Sequence, residues 1–526
     1  MDVPSVSSVV IPILVVLVSR LLTSALVHLL WKPYAITKLF RGQGITGPKY
    51  RLFVGSLPEI KRMKAAAAAD EVAAGAHSHD FIPIVLPQHS KWATDHGKTF
   101  LYWLGAVPAV SLGRVEQVKQ VLLERTGSFT KNYMNANLEA LLGRGLILAN
   151  GEDWERHRKV VHPAFNHDKL KFMSVVMAES VESMVQRWQS QIQQAGNNQV
   201  ELDLSRELSE LTSDVITRSA FGSSHEEGKE VYQAQKELQE LAFSSSLDVP
   251  ALVFLRKLPI VRGNTRAHQL VKKSRTMLME IIEGRLAKVE AAEAGYGSDL
   301  LGLMLEARAL EREGNGLVLT TQEIIDECKT FFFAGQDTTS NHLVWTMFLL
   351  SSNAQWQDKL REEVLTVCGD AIPTPDMANR LKLVNMVLLE SLRLYSPVVI
   401  IRRIAGSDID LGNLKIPKGT VLSIPIAKIH RDRDVWGPDA DEFNPARFKN
   451  GVSRAASYPN ALLSFSQGPR GCIGQTFAML ESQIAIAMIL QRFEFRLSPS
   501  YVHAPMEAIT LRPRFGLPVV LRNLQG

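Results

Sequence analysis

The residues best suited to chemistry lie near the C-terminus, in Phe465-Ser466-Gln467-Gly468-Pro469-Arg470-Gly471-Cys472-Ile473-Gly474. The cysteine thiolate is a strong metal ligand and nucleophile, and glycines at 468, 471 and 474 allow backbone turns and close approaches that a Cβ resists. A helical pattern follows from about Gln475 to Gln491. Cys472 then stands just ahead of a helix N-terminus, whose free N–H groups and positive dipole end stabilise a thiolate and tune it as a ligand. Arg470 adds a cation suited to a carboxylate on a bound cofactor. A lone cysteine in a glycine-rich turn is more often structural; the ten-residue arrangement argues for ligation.

A second constellation is Ala334-Gly335-Gln336-Asp337-Thr338-Thr339. Glycine inside a helix costs about 1 kcal/mol relative to alanine, so its presence asks for a reason. A small residue there lets a ligand come close to a helix that the glycine breaks. The adjacent carboxylate and hydroxyl of Asp337 and Thr338 are suited to passing protons. The plainer reading is a kink with Ser/Thr back-bonding.

These residues need long helices to hold them. Thr320 and Glu323 form a capping box ahead of an apolar run that continues to about Ser351. That predicts a helix of about 45 Å at 1.5 Å per residue, running through the centre of the body. Strand-like runs occur near Phe100–Trp103 and from Ile409 to Ile426, and helical patterns fill most of the chain between them. The expectation is a mainly α protein: one large helical domain over 51–526 with a minor β-sheet region.

From Val9 to Trp31 the chain is almost wholly apolar, about 23 residues, broken by Arg20 and His28. That length crosses a bilayer core. Lys32, Lys38, Arg41, Lys49 and Arg51 follow, against Asp2 alone before it, so the body is expected on the cytosolic side. Residues 1–31 are read as an anchor and 32–50 as a basic, Gly/Pro-containing linker; 64–79 reads as a surface segment rich in alanine. The three cysteines, Cys328, Cys368 and Cys472, are too dispersed for a disulfide framework or a zinc cage. Charges of both signs are interleaved and no nucleic-acid motif is present, so the net charge of +5 does not point to nucleic acid. No G-x-G-x-x-G opens a helix, so the chain carries no flavin or nicotinamide fingerprint.

The Cys472 loop resembles the haem-binding loop of the cytochrome P-450 family, F-x-x-G-x-R-x-C-x-G, with every fixed position filled. Ala334–Thr339 is similar to the family's A/G-G-x-D/E-T-T helix motif, Glu390-Ser391-Leu392-Arg393 to its E-x-x-R, and Phe443–Phe448 to its F-x-P-x-R-F. The resemblance implies the cytochrome P-450 fold and haem b with iron on the Cys472 thiolate, alongside Phe465 and Arg470. It also implies propionate contacts from Trp154, Arg158 and Arg402, and oxygen activation with proton delivery by Thr338 and Asp337. Glu390, Arg393 and Arg447 are implied as a buried network beneath the haem, and His430 as structural. O2 would be the co-substrate, with electrons from an NADPH–cytochrome P-450 reductase, and cytochrome b5 a possible second donor. The reductase is expected to dock on a basic face near Arg156, Lys159 and Arg470. The implied location is the endoplasmic reticulum membrane, with one span.

Within the family the body resembles a plant group that oxidises fatty acids, hormones and triterpenoids. The first expectation is in-chain hydroxylation of a fatty acid. The alternative is an isoprenoid-type hormone or triterpenoid such as a cytokinin, gibberellin or brassinosteroid. A haem-based ligand-binding protein without turnover is the non-enzyme alternative, and the retained Asp337–Thr338 pair argues against it. Pocket residues by family position are Phe332, Ala334, Val399, Ile400 and Ala508, mostly apolar and suited to a lipophilic ligand.

Overall fold

The computed structural model describes every residue except 1–5, 75–78, 132–135, 197, 223–232, 242–265, 293–294, 313–318 and 525–526. Val6–Leu26 (α1) is helical, Val27–Trp31 forms a π-helical turn, and Lys32–Gly42 (α2) continues the helix. The helix therefore runs past the expected junction at Trp31 and absorbs much of the expected linker. Pro33 lacks the N–H that a continuing helix would use, and the π-helical turn just ahead of it is where the helix adjusts to that loss. Pro33, Ile36 and Phe40 bury one side of α2 on the body. The chain turns away at Gly44, which has φ +77°. Ile13–Gly42, 30 residues whose most apolar 18-residue stretch has mean hydropathy 2.2, is long and apolar enough to cross a membrane. The alanine-rich segment after it is helical over Leu57–Ala74 (α3).

The described residues form a five-stranded sheet. Its strands are Thr99–Leu104 (β1), Val107–Leu112 (β2), Phe129–Thr130 (β3), Ile401–Ala405 (β4) and Val421–Ile424 (β5), in the order β1-β2-β5-β4-β3. β2 and β5 run parallel, pairing Ala109 with Val421, and β4 and β5 run antiparallel, pairing Arg402 with Ser423.

That body is assembled from Ala136–Leu142 (α4), Gly151–Val161 (α5), Leu204–Phe221 (α6), a helix over 233–241 (α7), Thr321–Ser351 (α8), Lys382–Leu394 (α9) and Gln475–Arg492 (α10). α8 is the predicted central helix. Its capping box is formed: Thr320 Oγ1 accepts from Glu323 N at 3.2 Å, and Glu323 Oε2 accepts from Thr320 N at 2.7 Å. Most of its side chains are buried, as a helix apolar on nearly every side requires. Contrary to the expected break, α8 runs unbroken through Gly335. The reason for glycine lies in packing: a Cβ there would stand 2.6 Å from Ile216 Cδ1 on α6. A hairpin of Pro505–Ala508 (β6) and Thr510–Pro513 (β7) lies against α8.

Candidate active site

The Cys472 loop is shaped by its backbone. Ser466 (φ +58°) and Gly468 (φ +70°) both pass through the left-handed region. A Cβ on Gly468 would also strike Leu122 O, so glycine is required there twice over. Gly474 is under no such constraint, since a Cβ on it would meet only Phe165 at 3.8 Å. Cys472 N–H donates to Phe465 O at 2.8 Å and closes the loop. Ser464 Oγ donates to Leu392 O at 2.9 Å, and Leu463 N–H to His430 Nε2 at 2.8 Å. Because Nε2 accepts, Nδ1 carries the His430 proton and faces Arg393 O at 3.2 Å. Burial, then the Arg393 charge, push the His430 pKa down to about 3. The ring is a neutral strut with no nitrogen left for a metal.

The Cys472 side chain has open surface, yet it lies deep enough for desolvation to raise its pKa; Gly474 N–H, Arg158 and Lys131 act the other way. A group both accessible and desolvated faces an internal cleft. α5 brings Trp154 and Arg158 to this place. Arg470 stacks over Trp154 at 4.2 Å from the ring centre and donates to Ala149 O at 2.7 Å, while Arg158 Nη1 donates to Gly471 O at 3.2 Å.

Two further cations were missed by the sequence reading. Lys131 has its pKa pushed well down, first by burial and then by Arg403 and Arg470, with the Cys472 thiolate acting in the opposite sense. β4 sends neighbouring side chains to opposite faces. Arg403 accordingly acts on Lys131, while Arg402, the residue picked from sequence, acts on Tyr102 and His89. Period two could have warned that the two arginines diverge, but not which one faces inward. Lys131 follows a two-residue strand and carried no pattern at all.

On α8, the Thr338 hydroxyl donates to Ala334 O at 2.5 Å, which is back-bonding within the helix. Asp337 does not reach toward that hydroxyl: its Oδ2 accepts from the Thr510 hydroxyl and from Gln239 Nε2 at 3.1 Å. Burial raises the Asp337 pKa, and these two donors and Arg512 oppose the rise. Of the expected pocket residues, Phe332 stacks on Phe221 in the main core and Val399 is buried there as well. Phe333, one position along, packs instead with Leu141, Leu142, Leu238 and Ile509. Ala334 and Ile400 stay partly open, and Ala508 O accepts from Gln239 Nε2 at 3.2 Å.

Glu390 and Arg393 on α9 are fully buried and face each other through two bonds of 2.7 Å. Arg393 also donates to His430 O, Ala440 O and Glu442 O, so all five of its N–H donors are used. Arg447 stands 3.7 Å from Glu390, but its close partner is Asp439 at 2.8 Å, which sequence gave no means of choosing.

Comparison with known proteins settles the family. The Cytochrome P450 family profile matches residues 85–516. The chain belongs to the cytochrome P450 family. It is 42% identical to Cytochrome P450 709B1 of Arabidopsis thaliana over 518 residues, 98% of each chain. It is 43% identical to Cytochrome P450 CYP72A219 of Panax ginseng over 496 residues, 94% of each chain. A cytokinin hydroxylase of Arabidopsis thaliana is 37% identical over 520 residues, again 98% of each chain. Cytochromes P450 are haem-thiolate monooxygenases, so this chain is an enzyme of that class. The residues of this P450 fit the cofactor: Lys131, Arg158, Arg403 and Arg470 gather near one thiol. Burial pushes the Lys131 and Arg158 pKa values down, and a set of cations on one side of a thiol suits a group that carries two carboxylates.

Proposed function

We propose that this P450 holds haem b on Cys472 and hydroxylates a lipophilic small molecule with O2 and electrons from an NADPH-dependent reductase. The observation that carries the reading is the accessible, desolvated Cys472 thiol with Gly474 N–H, Arg158 and Lys131 acting on it. Haem, when bound, supplies the oxygen-activating redox chemistry. The protein's part is placement and proton control. Lys131, Arg158, Arg403 and Arg470 hold the cofactor's carboxylates, and Trp154 backs Arg470. Thr338, whose hydroxyl now bonds Ala334 O, would turn that hydroxyl toward the cleft, and Asp337 would supply the proton. Glu390, Arg393 and Arg447 keep α9 and the Cys472 loop in register.

The N-terminal helix anchors the body to the endoplasmic reticulum membrane, with the basic residues after it on the cytosolic side. Among the expected docking cations only Lys159 is exposed. Arg156 is bound to Asp153 at 3.0 Å and Glu323 at 2.5 Å, and Arg470 is turned inward. Lys159 is therefore the residue whose reversal tests the reductase face.

The first substrate reading is a fatty acid oxidised in its chain, in keeping with the apolar cluster of Phe333, Leu141, Leu142 and Ile509. The second is an isoprenoid-type hormone, favoured by the similarity to a cytokinin hydroxylase. Optical titration of the purified ferric protein tests both. A shift toward high spin with a medium-chain fatty acid supports the first, and a shift with a cytokinin alone moves the assignment to the second. Absence of a haem-thiolate spectrum in folded protein refutes the proposal as a whole.

A further inference from the structure

Asp337 is held by three segments that are remote in sequence. From β7, the Thr510 hydroxyl bonds Asp337 Oδ2. From α7, Gln239 Nε2 reaches the same oxygen at 3.1 Å and Ala508 O at 3.2 Å. From α8 itself, Asn341 Nδ2 donates to Asp337 O at 2.8 Å and to Thr510 Oγ1 at 3.2 Å. Gln239, Asp337, Asn341 and Thr510 are all buried.

The direction of these bonds follows from the donors. An amide nitrogen only donates, so Asn341 occupies a lone pair of Thr510, whose single hydrogen must then point to Asp337. Oδ2 therefore accepts twice. Among the described residues both hydrogen bonds of the carboxyl group end on Oδ2, which leaves Oδ1 to take up and release the proton. The turn that presents Thr510 is strained: Ile509, a β-branched residue, has φ +75°. Its packing against Phe333, Leu141, Leu142 and Leu238 holds it there.

We infer that Thr510 and Gln239 are positioning residues that clamp Asp337 Oδ2, making Oδ1 the proton-carrying oxygen and coupling its readiness to the seating of α7 and the hairpin. This rests on the reading of Asp337 as the proton donor. In the step itself, the Oδ1–H bond breaks, the proton passes to a neighbouring hydroxyl or water on the way to bound oxygen, and a proton from bulk water restores the acid. Arg512 on β7 is the charged group that acts on Asp337; Glu507 on β6 is engaged by Lys64 at 2.8 Å.

Both clamps favour the ionised carboxylate, so removing one raises the Asp337 pKa. A hydrogen bond to a charged group is worth about 1.5–3 kcal/mol, or about one to two pH units. The test uses the full-length holoenzyme and the variants Thr510→Val, Thr510→Ser, Gln239→Met and Asp337→Asn. Infrared difference spectra against Asp337→Asn locate the pH at which the Asp337 carboxyl band titrates in the resting protein. Product formed per NADPH is followed over the same pH range. The midpoint and the pH dependence of coupling should move up together in Thr510→Val and Gln239→Met, and return toward wild type in Thr510→Ser. Hydrogen exchange over 505–513 separates the two causes: a moved band with unchanged exchange belongs to the lost bond, and a moved band found only with faster exchange belongs to a displaced hairpin and overturns the clamp. An unmoved band in both Thr510→Val and Gln239→Met overturns the clamp. If Asp337→Asn stays fully coupled, the proton-donor reading fails instead, whatever the band does.

Discussion

Arg393→Lys keeps the charge of the buried pair with Glu390 but removes its geometry, and the structure says what that costs. Arg393 uses five N–H donors on five acceptors: two Glu390 oxygens and the carbonyls of His430, Ala440 and Glu442. Lysine has three donors on a point charge, so at least two of the five bonds are lost, though Glu390 Oε1 keeps Asn444 N–H and Glu442 O is only partly buried. At about 0.5–3 kcal/mol for each lost bond, according to how buried its acceptor is, the loss is about 1–6 kcal/mol. That is a large share of a typical folding stability of about 5–15 kcal/mol. Arg393→Met should cost about 3–5 kcal/mol or more, because it strands the Glu390 charge with Asn444 N–H at 2.9 Å and Arg447 at 3.7 Å. Arg447→Lys is the control. Arg447 makes four bonds, to Trp436 O and three oxygens of Asp439, so lysine loses one, and with Asp439 one-third exposed the exchange should cost about 1 kcal/mol. The assay is urea unfolding of detergent-solubilised protein, followed by tryptophan fluorescence and by the thiolate-ligated haem absorbance. If Arg393→Lys unfolds at the same urea concentration as wild type with an unchanged slope, the argument from donor count is wrong.

Thr338→Ala should uncouple NADPH use from product, and full coupling in that variant removes the oxygen-activation role. Gly335→Ala should destabilise by about 1–3 kcal/mol through overpacking against Ile216, which outweighs the gain in helix propensity. Adding Ile216→Ala should recover part of that loss, and strict additivity of the two in a double-mutant cycle would refute the contact. Lys159→Glu should slow reductase-driven turnover at low salt and much less at high salt, where surface charges are screened. Burial raises the Glu323 pKa, but hydrogen bonds from Arg156 and Thr320 outweigh it and hold the group at about 2. Stability from this carboxylate is thus present above its unfolded pKa of about 4.3 and is lost as pH falls toward 2. Glu323→Gln should flatten that acid limb of the stability curve, and an unchanged limb would show that the contact adds no stability.

The central helix, the Cys472 loop with its following helix, and the pairing of Glu390 with Arg393 were legible because each is written locally, while the burial of that pair came only from the family resemblance. A capping box, a run of glycines around one cysteine, and a charge pair three apart on one helix face act over a few residues. What sequence did not carry depends on how distant segments meet. Arg403 acts on Lys131 beside Cys472 because of the face β4 presents, and Lys131 lies just past a two-residue strand. Gly335 is explained by Ile216, more than a hundred residues away, and not by a broken helix. The same holds for Asp337. Its place beside Thr338 in the chain suggests a pair, yet successive side chains on a helix point about 100° apart. Back-bonding turns Thr338 onto its own helix, while Asp337 turns to Thr510 and Gln239. Acid and alcohol thus stand in different surroundings, one in a polar clamp and the other on a partly open face. Proton delivery between them requires either rearrangement of the clamp or an intervening water, so substitutions in the clamp should change coupling more than they change binding of the substrate.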